Sequence, residues 1–97
     1  MRVKANWITA VEFAASSLTT SYQSAIVLTH GVRVLTVIND STVVARLSFD
    51  GTNQHFTVPA GLSRTIDFSS NDLFMSGDLQ IKSTGAGTGT IYFDGAY

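Results

Sequence analysis

A chain of 97 residues is long enough for one domain, and this one has a net charge of −1 with only 13% charged residues. Its six Lys and Arg residues are scattered, whereas nucleic-acid binding needs a basic patch, so we expect no nucleic-acid partner. Cysteine is absent, which excludes disulfides and thiolate metal sites. Because no stretch approaches the ~20 apolar residues of a membrane-spanning helix, we expect no membrane partner.

The first third of the chain has a weaker strand pattern than the rest. Trp7, Val11 and Phe13 fall on one side of a period-two alternation, which indicates an extended segment near the start. Residues 26–28 form a short apolar run and predict a short strand. Residues 32–38 are almost continuously apolar, which is typical of a central strand covered on both faces.

From residue 42 onwards the alternation is regular and predicts half-buried strands. In residues 42–49 every odd position is apolar and the even positions are mostly polar, and four later runs repeat this period of two. We expect the apolar faces of these runs to form the core. The predicted core residues are Leu47, Phe49, Phe56, Ile66, Phe68, Ile81, Ile91 and Phe93.

Turn-forming residues separate the predicted strands. Residues 39–41, Asn-Asp-Ser, suggest a hairpin, and Asp50-Gly51 and the Pro-Ala-Gly of residues 59–61 are further breaks. We expect at least one of Gly51 and Gly61 to adopt a positive φ, because Asp-Gly and Pro-x-Gly turns often need it. About eight short strands follow, so the predicted fold class is all-β: an antiparallel, jelly-roll-like β-sandwich. We expect residues 1–97 to form a single domain, in which residues 1–14 are an interaction arm or an edge strand.

The residues that carry chemistry in proteins form no recognisable constellation here. His30 and His55 lie outside any nucleophile motif and lack the spacing of a metal-binding pair. Residues 50–53 offer oxygen ligands of the kind that calcium takes, but the rest of a calcium loop is missing, which favours a hairpin turn. Glu12 is the sole glutamate, so no carboxylate pair is suggested by spacing. We therefore predict no catalytic residues, no metal site and no cofactor.

Aromatic residues are the remaining candidates for a binding surface. On strands they usually fill the core, and this interpretation stays open for Trp7. Aromatic side chains also concentrate binding energy at protein interfaces. We predict Trp7, Phe13 and Tyr97 as interface anchors, because they lie close to the two ends of the chain.

Four segments in the second part of the chain carry a resemblance to a known group of proteins. They are VARLSFDG (residues 44–51), TNQHFTVPAG (52–61), SRTIDF (63–68) and LQIKSTGAGTGTIYFDGAY (79–97). This order of strand, SFDG turn, PAG turn, Asp-Phe strand and Gly/Thr-rich loop resembles small β-sandwich structural proteins of tailed-phage virions. The resemblance extends from residue 39 to the last residue, and no catalytic residues belong to its pattern.

The resemblance implies a function in assembly. Such proteins decorate or cement capsids, form head fibres or adapt tail parts, so we expect a non-enzymatic virion protein that forms homo-oligomers and contacts capsid or tail subunits. Few charges also leave surface free for contacts of low polarity. The alternative is a carbohydrate- or receptor-binding β-sandwich module. Trp7, Tyr22 and Tyr92 clustered on one exposed face would favour that alternative.

Overall fold

A computed structural model describes residues 6–67 and 75–97, and within them the chain forms strands and a single 3-10 turn, Ala15–Ser17. The strands are short and follow one another closely along the chain. Their bounds are β1 Val11–Ala14, β2 Gln23–Val32, β3 Val34–Ser41, β4 Ala45–Ser48, β5 Phe56–Val58, β6 Ser63–Asp67, β7 Met75–Lys82 and β8 Gly89–Ala96.

The strands form two four-stranded antiparallel sheets that pack face to face. The first sheet has the order β1-β8-β3-β6, and the second has the order β2-β7-β4-β5. Consecutive strands alternate between the sheets except for β4 and β5, which form a hairpin. This interleaved order is that of a jelly roll. The predicted all-β, jelly-roll-like sandwich of eight strands is confirmed.

Alternation of side chains along each strand creates the core between the sheets. In β8, Ile91 and Phe93 are fully buried while Asp94 is exposed; in β7, Leu79 and Ile81 are fully buried. This is the pattern expected when one face of each sheet meets the other sheet and the opposite face meets solvent.

Most of the predicted core is confirmed. Five of the eight predicted residues are buried: Leu47, Phe56, Ile81, Ile91 and Phe93. Phe49 and Ile66 are half-buried and pack against the core from its margin, since Phe49 follows the end of β4 and Ile66 lies on the edge strand β6. Phe68 lies outside the described residues.

Two local predictions are wrong, each because of how strands cross between sheets, and a third predicted strand is confirmed but longer than predicted. Residues 32–38 are not one strand, because the chain leaves β2 after Val32 and starts β3, in the other sheet, at Val34. The short strand predicted at residues 26–28 is the middle of the ten-residue β2. Residues 39–41 are not a hairpin turn: they belong to β3, and the next strand, β4, lies in the second sheet.

The prediction for the two turn glycines is confirmed at both positions. Gly51 has φ +75° and Gly61 has φ +77°, in the region that side-chain-bearing residues rarely adopt. A β-carbon at Gly61 would meet nothing within 4 Å, so backbone conformation alone requires glycine there. At Gly51 a β-carbon would also meet the side chain of Gln80.

Candidate functional site

The sandwich opens where the edge of one sheet lies beside the edge of the other. A cleft of about 390 Å³ separates the start of the chain and β1 from β2; we call it the edge cleft. Its lining consists of residues 7–9 and Val11 on one side, residues 24–30 on the other, and Tyr97. β1 and β2 are both edge strands, so each has one side without a neighbouring strand in the described part of the chain.

Backbone hydrogen bonds hold the segment before β1 along the end of β8. The N–H of Asn6 donates to the carbonyl of Tyr97 (3.2 Å), and the N–H of Tyr97 donates to the carbonyl of Asn6 (2.8 Å). The N–H of Ile8 donates to the carbonyl of Gly95 (3.1 Å). This segment therefore continues the line of β1 along β8, and the structure places residues 6–14 at the sheet edge.

Gly95 allows this close approach. A β-carbon there would lie 2.7 Å from the carbonyl oxygen of Val34 and 3.0 Å from Cδ1 of Ile8. Real β-carbons essentially never come within 3.0 Å of a heavy atom outside their own residue and its chain neighbours. A larger residue at position 95 would therefore push Ile8 or the β3 backbone away. Glycine at this position lets Ile8 pack against the core beneath the cleft.

The rim of the edge cleft carries exposed aromatic and apolar side chains among polar ones. Trp7 is 75% exposed, the largest exposed fraction among the large hydrophobic side chains in the described residues. Val27, on β2 across the cleft, is 59% exposed. The rings of His30 and Tyr97 stack in parallel, with their centroids 4.1 Å apart and an angle of 7° between the planes. The stacked pair ties β2 to the residue that follows β8.

The structure brings together two of the three predicted interface residues. Trp7 and Tyr97 both line the edge cleft, and the exposure of Trp7 overturns its alternative interpretation as a core residue. Phe13 does not line the cleft; it is half-buried on β1 and packs against the core. Val27 and His30 also line the cleft and were not predicted as interface residues. The available signal was the uncharged, proline-free stretch of residues 23–32 around them.

Away from the edge cleft, Asp50 accepts several hydrogen bonds in the hairpin loop between β4 and β5. Its Oδ1 accepts from the N–H groups of Asn53 and Thr52, each at 2.8 Å, and from the hydroxyl of Ser48 at 2.9 Å. Its Oδ2 accepts from Nδ2 of Asn53 at 2.9 Å. His55 is also engaged, because its Nδ1 accepts from the backbone N–H of Phe49 at 2.9 Å. These bonds support the interpretation of this segment as a turn.

The hydrogen bonds to Asp50 also change its acidity. The backbone N–H groups of Asn53 and Thr52, followed by the side chains of Asn53 and Ser48, hold the pKa of this carboxyl well below its usual range. Because the pKa is lower in the folded chain than in the unfolded chain, the charge of Asp50 stabilises the fold above the unfolded pKa of about 3.9. That contribution is lost as the pH falls towards the folded pKa.

We therefore predict a pH-dependent effect of Asp50→Asn. An asparagine can still accept hydrogen bonds in this turn but has no charge for the turn to stabilise. The melting temperature of the Asp50→Asn variant should therefore be lower than that of the wild type at about pH 7. The difference should shrink as the pH is lowered through about 4 towards 3. Thermal unfolding followed by circular dichroism across this range measures it. A difference that stays constant with pH would contradict a role for the charge.

Two further observations concern metal ligands and membrane-spanning helices. In residues 6–67 and 75–97, no three side chains of His, Asp or Glu come together as metal ligands would. Over the same ranges, no helix has the length and apolar character to cross a bilayer.

Comparison with models of protein families gave no match, and comparison with curated proteins gave none either.

Proposed function

We propose that this chain is a non-enzymatic structural subunit of a bacteriophage virion, a capsid decoration or cement protein or a fibre or adaptor subunit. It assembles in multiple copies and contacts capsid or tail proteins. The observation that carries the proposal is the edge cleft, where an exposed Trp7 stands beside the uncharged edge strand β2. An exposed aromatic ring at a concave surface is a frequent anchor of a protein interface.

Two further observations support assembly. The chain's low charge, 13%, lets surfaces approach one another without desolvating many ions. Jelly rolls also serve as capsid domains, although they serve as lectins as well, so this support comes from the fold alone. In an assembly of many copies, several weak contacts act together, because each contact raises the effective concentration for the next.

A carbohydrate- or receptor-binding module is the second candidate, and the exposed Trp7 is the observation that favours it, since sugars bind against aromatic rings. The other two rings expected on such a platform are less exposed than Trp7. Tyr22 is half-buried with Nζ of Lys82 4.4 Å from its ring centroid, and Tyr92 is half-buried on β8. Among the described residues, no ring contact joins Trp7, Tyr22 and Tyr92. Without a second exposed ring in contact with Trp7, the described residues favour assembly over a sugar platform.

The test is binding to phage particles assembled without the chain. Deleting residues 1–14 would remove β1 from β8 and uncover the core, so Trp7→Ala is the sharper variant, with Leu62→Ala as the control at a second exposed apolar side chain. We expect the wild type and Leu62→Ala to sediment with the particles, and Trp7→Ala to bind about tenfold or more weakly.

Two results would contradict the proposal. If the wild type stays monomeric at high concentration and binds no virion component, the structural function is wrong. If, in addition, it binds immobilised glycans through Trp7, the carbohydrate-binding alternative replaces it. Equal particle binding by the wild type and Trp7→Ala would show only that the contact lies away from the edge cleft.

A further inference from the structure

The four edge strands of the sandwich are protected from pairing with other chains to different degrees. Proteins protect sheet edges by keeping them short or by placing charges or proline on them. β1 has four residues and includes Glu12; β5 has three residues and is followed directly by Pro59; β6 carries Arg64 and Asp67. These three edges follow the rule.

β2 does not follow it. This strand has ten residues, QSAIVLTHGV, with no Asp, Glu, Lys, Arg or Pro among them. It pairs with β7 on one side, and no strand in residues 6–67 and 75–97 pairs with its other side. β2 pairs with β7 from Gln23 to Leu28 with one irregularity in the register, and a second irregularity follows Leu28. Residues 23–28 are therefore the segment in which a new ladder would form.

Space is available beside this strand. The edge cleft leaves open space beside β2 along residues 24–30, and the His30–Tyr97 stack meets β2 at residue 30, outside residues 23–28. Val27 already offers an exposed β-branched side chain to such a neighbour, and Trp7 stands on the opposite rim. Cross-strand contacts of aromatic and β-branched side chains stabilise antiparallel pairs.

We propose that β2 pairs antiparallel with β2 of a second copy of this chain, which joins the two second sheets into one continuous sheet across a two-fold axis. The inference rests on the proposed function, assembly in multiple copies, and names the contact that makes it. Two-fold symmetry sets the same strand against itself in antiparallel orientation, so each copy gives and receives the same hydrogen bonds.

The charge pattern selects a second copy as the partner. In antiparallel self-pairing across a two-fold axis, the side chains near the axis face their own copies, so a charge there meets the same charge on the partner strand. β2 is free of charged residues and avoids that repulsion, whereas β1 would bring two copies of Glu12 together. A strand from another protein needs no such neutrality, and in that case a charge on β2 would help to specify the partner.

Val27→Lys tests the proposal, and Leu62→Lys is a matched control. The two side chains are exposed to nearly the same extent, 59% and 57%, but Leu62 lies in the turn before β6 and not on β2. Sedimentation velocity of the full chain over a range of concentrations measures self-association. We expect dimers of the wild type and of Leu62→Lys, and at least about tenfold weaker dimerisation of Val27→Lys.

Tryptophan fluorescence supplies a second readout. Trp7 is the sole tryptophan, and its exposed ring beside β2 should become more buried on pairing. Its emission should therefore shift to shorter wavelength as the wild type and Leu62→Lys are concentrated, and should not shift for Val27→Lys. Ser24→Lys, at the second exposed position within residues 23–28, replaces Val27→Lys if circular dichroism shows that the latter is unfolded.

Each outcome separates this inference from the proposed function. If Val27→Lys dimerises as tightly as the wild type, β2 pairing is wrong while assembly stands. If the wild type is monomeric but binds phage particles, β2 pairing between copies is wrong and the proposed function stands. If the wild type dimerises through β2 and binds no virion component, the inference stands and the virion function is wrong.

Discussion

Replacing Phe93 with alanine should lower the free energy of unfolding by about 3–5 kcal/mol. Phe93 is fully buried on β8, in register with Val11 of β1 and Val37 of β3, so its ring lies at the centre of the first sheet's inner face. Strands on both sides hold this position, which limits how far the surroundings can collapse into the cavity. Urea denaturation measures the loss, which is a large fraction of the 5–15 kcal/mol typical of a domain.

Phe49→Ala is the matched control for Phe93→Ala. The ring of Phe49 is half-buried at the margin of the core, against Phe56 and His55, with ring centroids 6.2 and 5.9 Å away. Water can fill the space that its removal leaves, so we expect a cost of about 1–2 kcal/mol. Equal losses for the two phenylalanines would show that the margin and the centre of the core are packed alike, contrary to the structure.

Asn39→Ala should cost about 3 kcal/mol, because one buried side chain joins three parts of the chain. Its Nδ2 donates to the carbonyls of Val43 (2.8 Å) and Val58 (2.9 Å), and its Oδ1 accepts from the hydroxyl of Ser41. Alanine would remove this donor from the Val58 carbonyl in a site where Asn39 is fully buried, whereas the Val43 carbonyl also accepts from the hydroxyl of Ser41 (3.0 Å). Buried polar groups that lose their partners are destabilising beyond the loss of the bond itself.

Asp40→Ala is the control on the same strand. Asp40 is the next residue along β3 and is exposed, so its replacement should change the free energy of unfolding by less than about 0.5 kcal/mol. If Asn39→Ala is as mild as Asp40→Ala, the buried hydrogen bonds do not help to hold β3, β5 and the segment between β3 and β4 together. Both variants are compared with the wild type by urea denaturation.

Asn39 also illustrates where sequence reasoning failed. An Asn-Asp-Ser run is typical of a turn, because these side chains bond to nearby backbone. Here Asn39 does bond to nearby backbone, at Val43, but it does so from within β3. Its second donor reaches Val58, nineteen residues away, and no local pattern records that contact. The same limit explains the boundary between β2 and β3, where the chain changes sheets inside an apolar run.

The candidate site was predictable only in part. Trp7 and Tyr97 were predicted as contact residues from their type and their place near the chain ends, and the structure places both at the edge cleft. Phe13 is equally aromatic and close to Trp7 in sequence, yet it packs against the core. The difference depends on which face of the sheet each side chain points to. That face is set by the backbone pairing of the segment before β1, and of β1 itself, with β8.

The sequence by itself determined the all-β sandwich, the glycine turns at positions 51 and 61, and most of the strand faces that meet in the core from residue 42 onwards. These properties depend on neighbouring residues, through period-two burial and the backbone freedom of glycine. Only the tertiary structure decided that β1 and β2 end up as adjacent edges, that the edge cleft opens between them, and that Asn39 is buried. Those properties depend on which distant strands pair, and strand pairing is chosen by the total burial and hydrogen bonding of the whole chain.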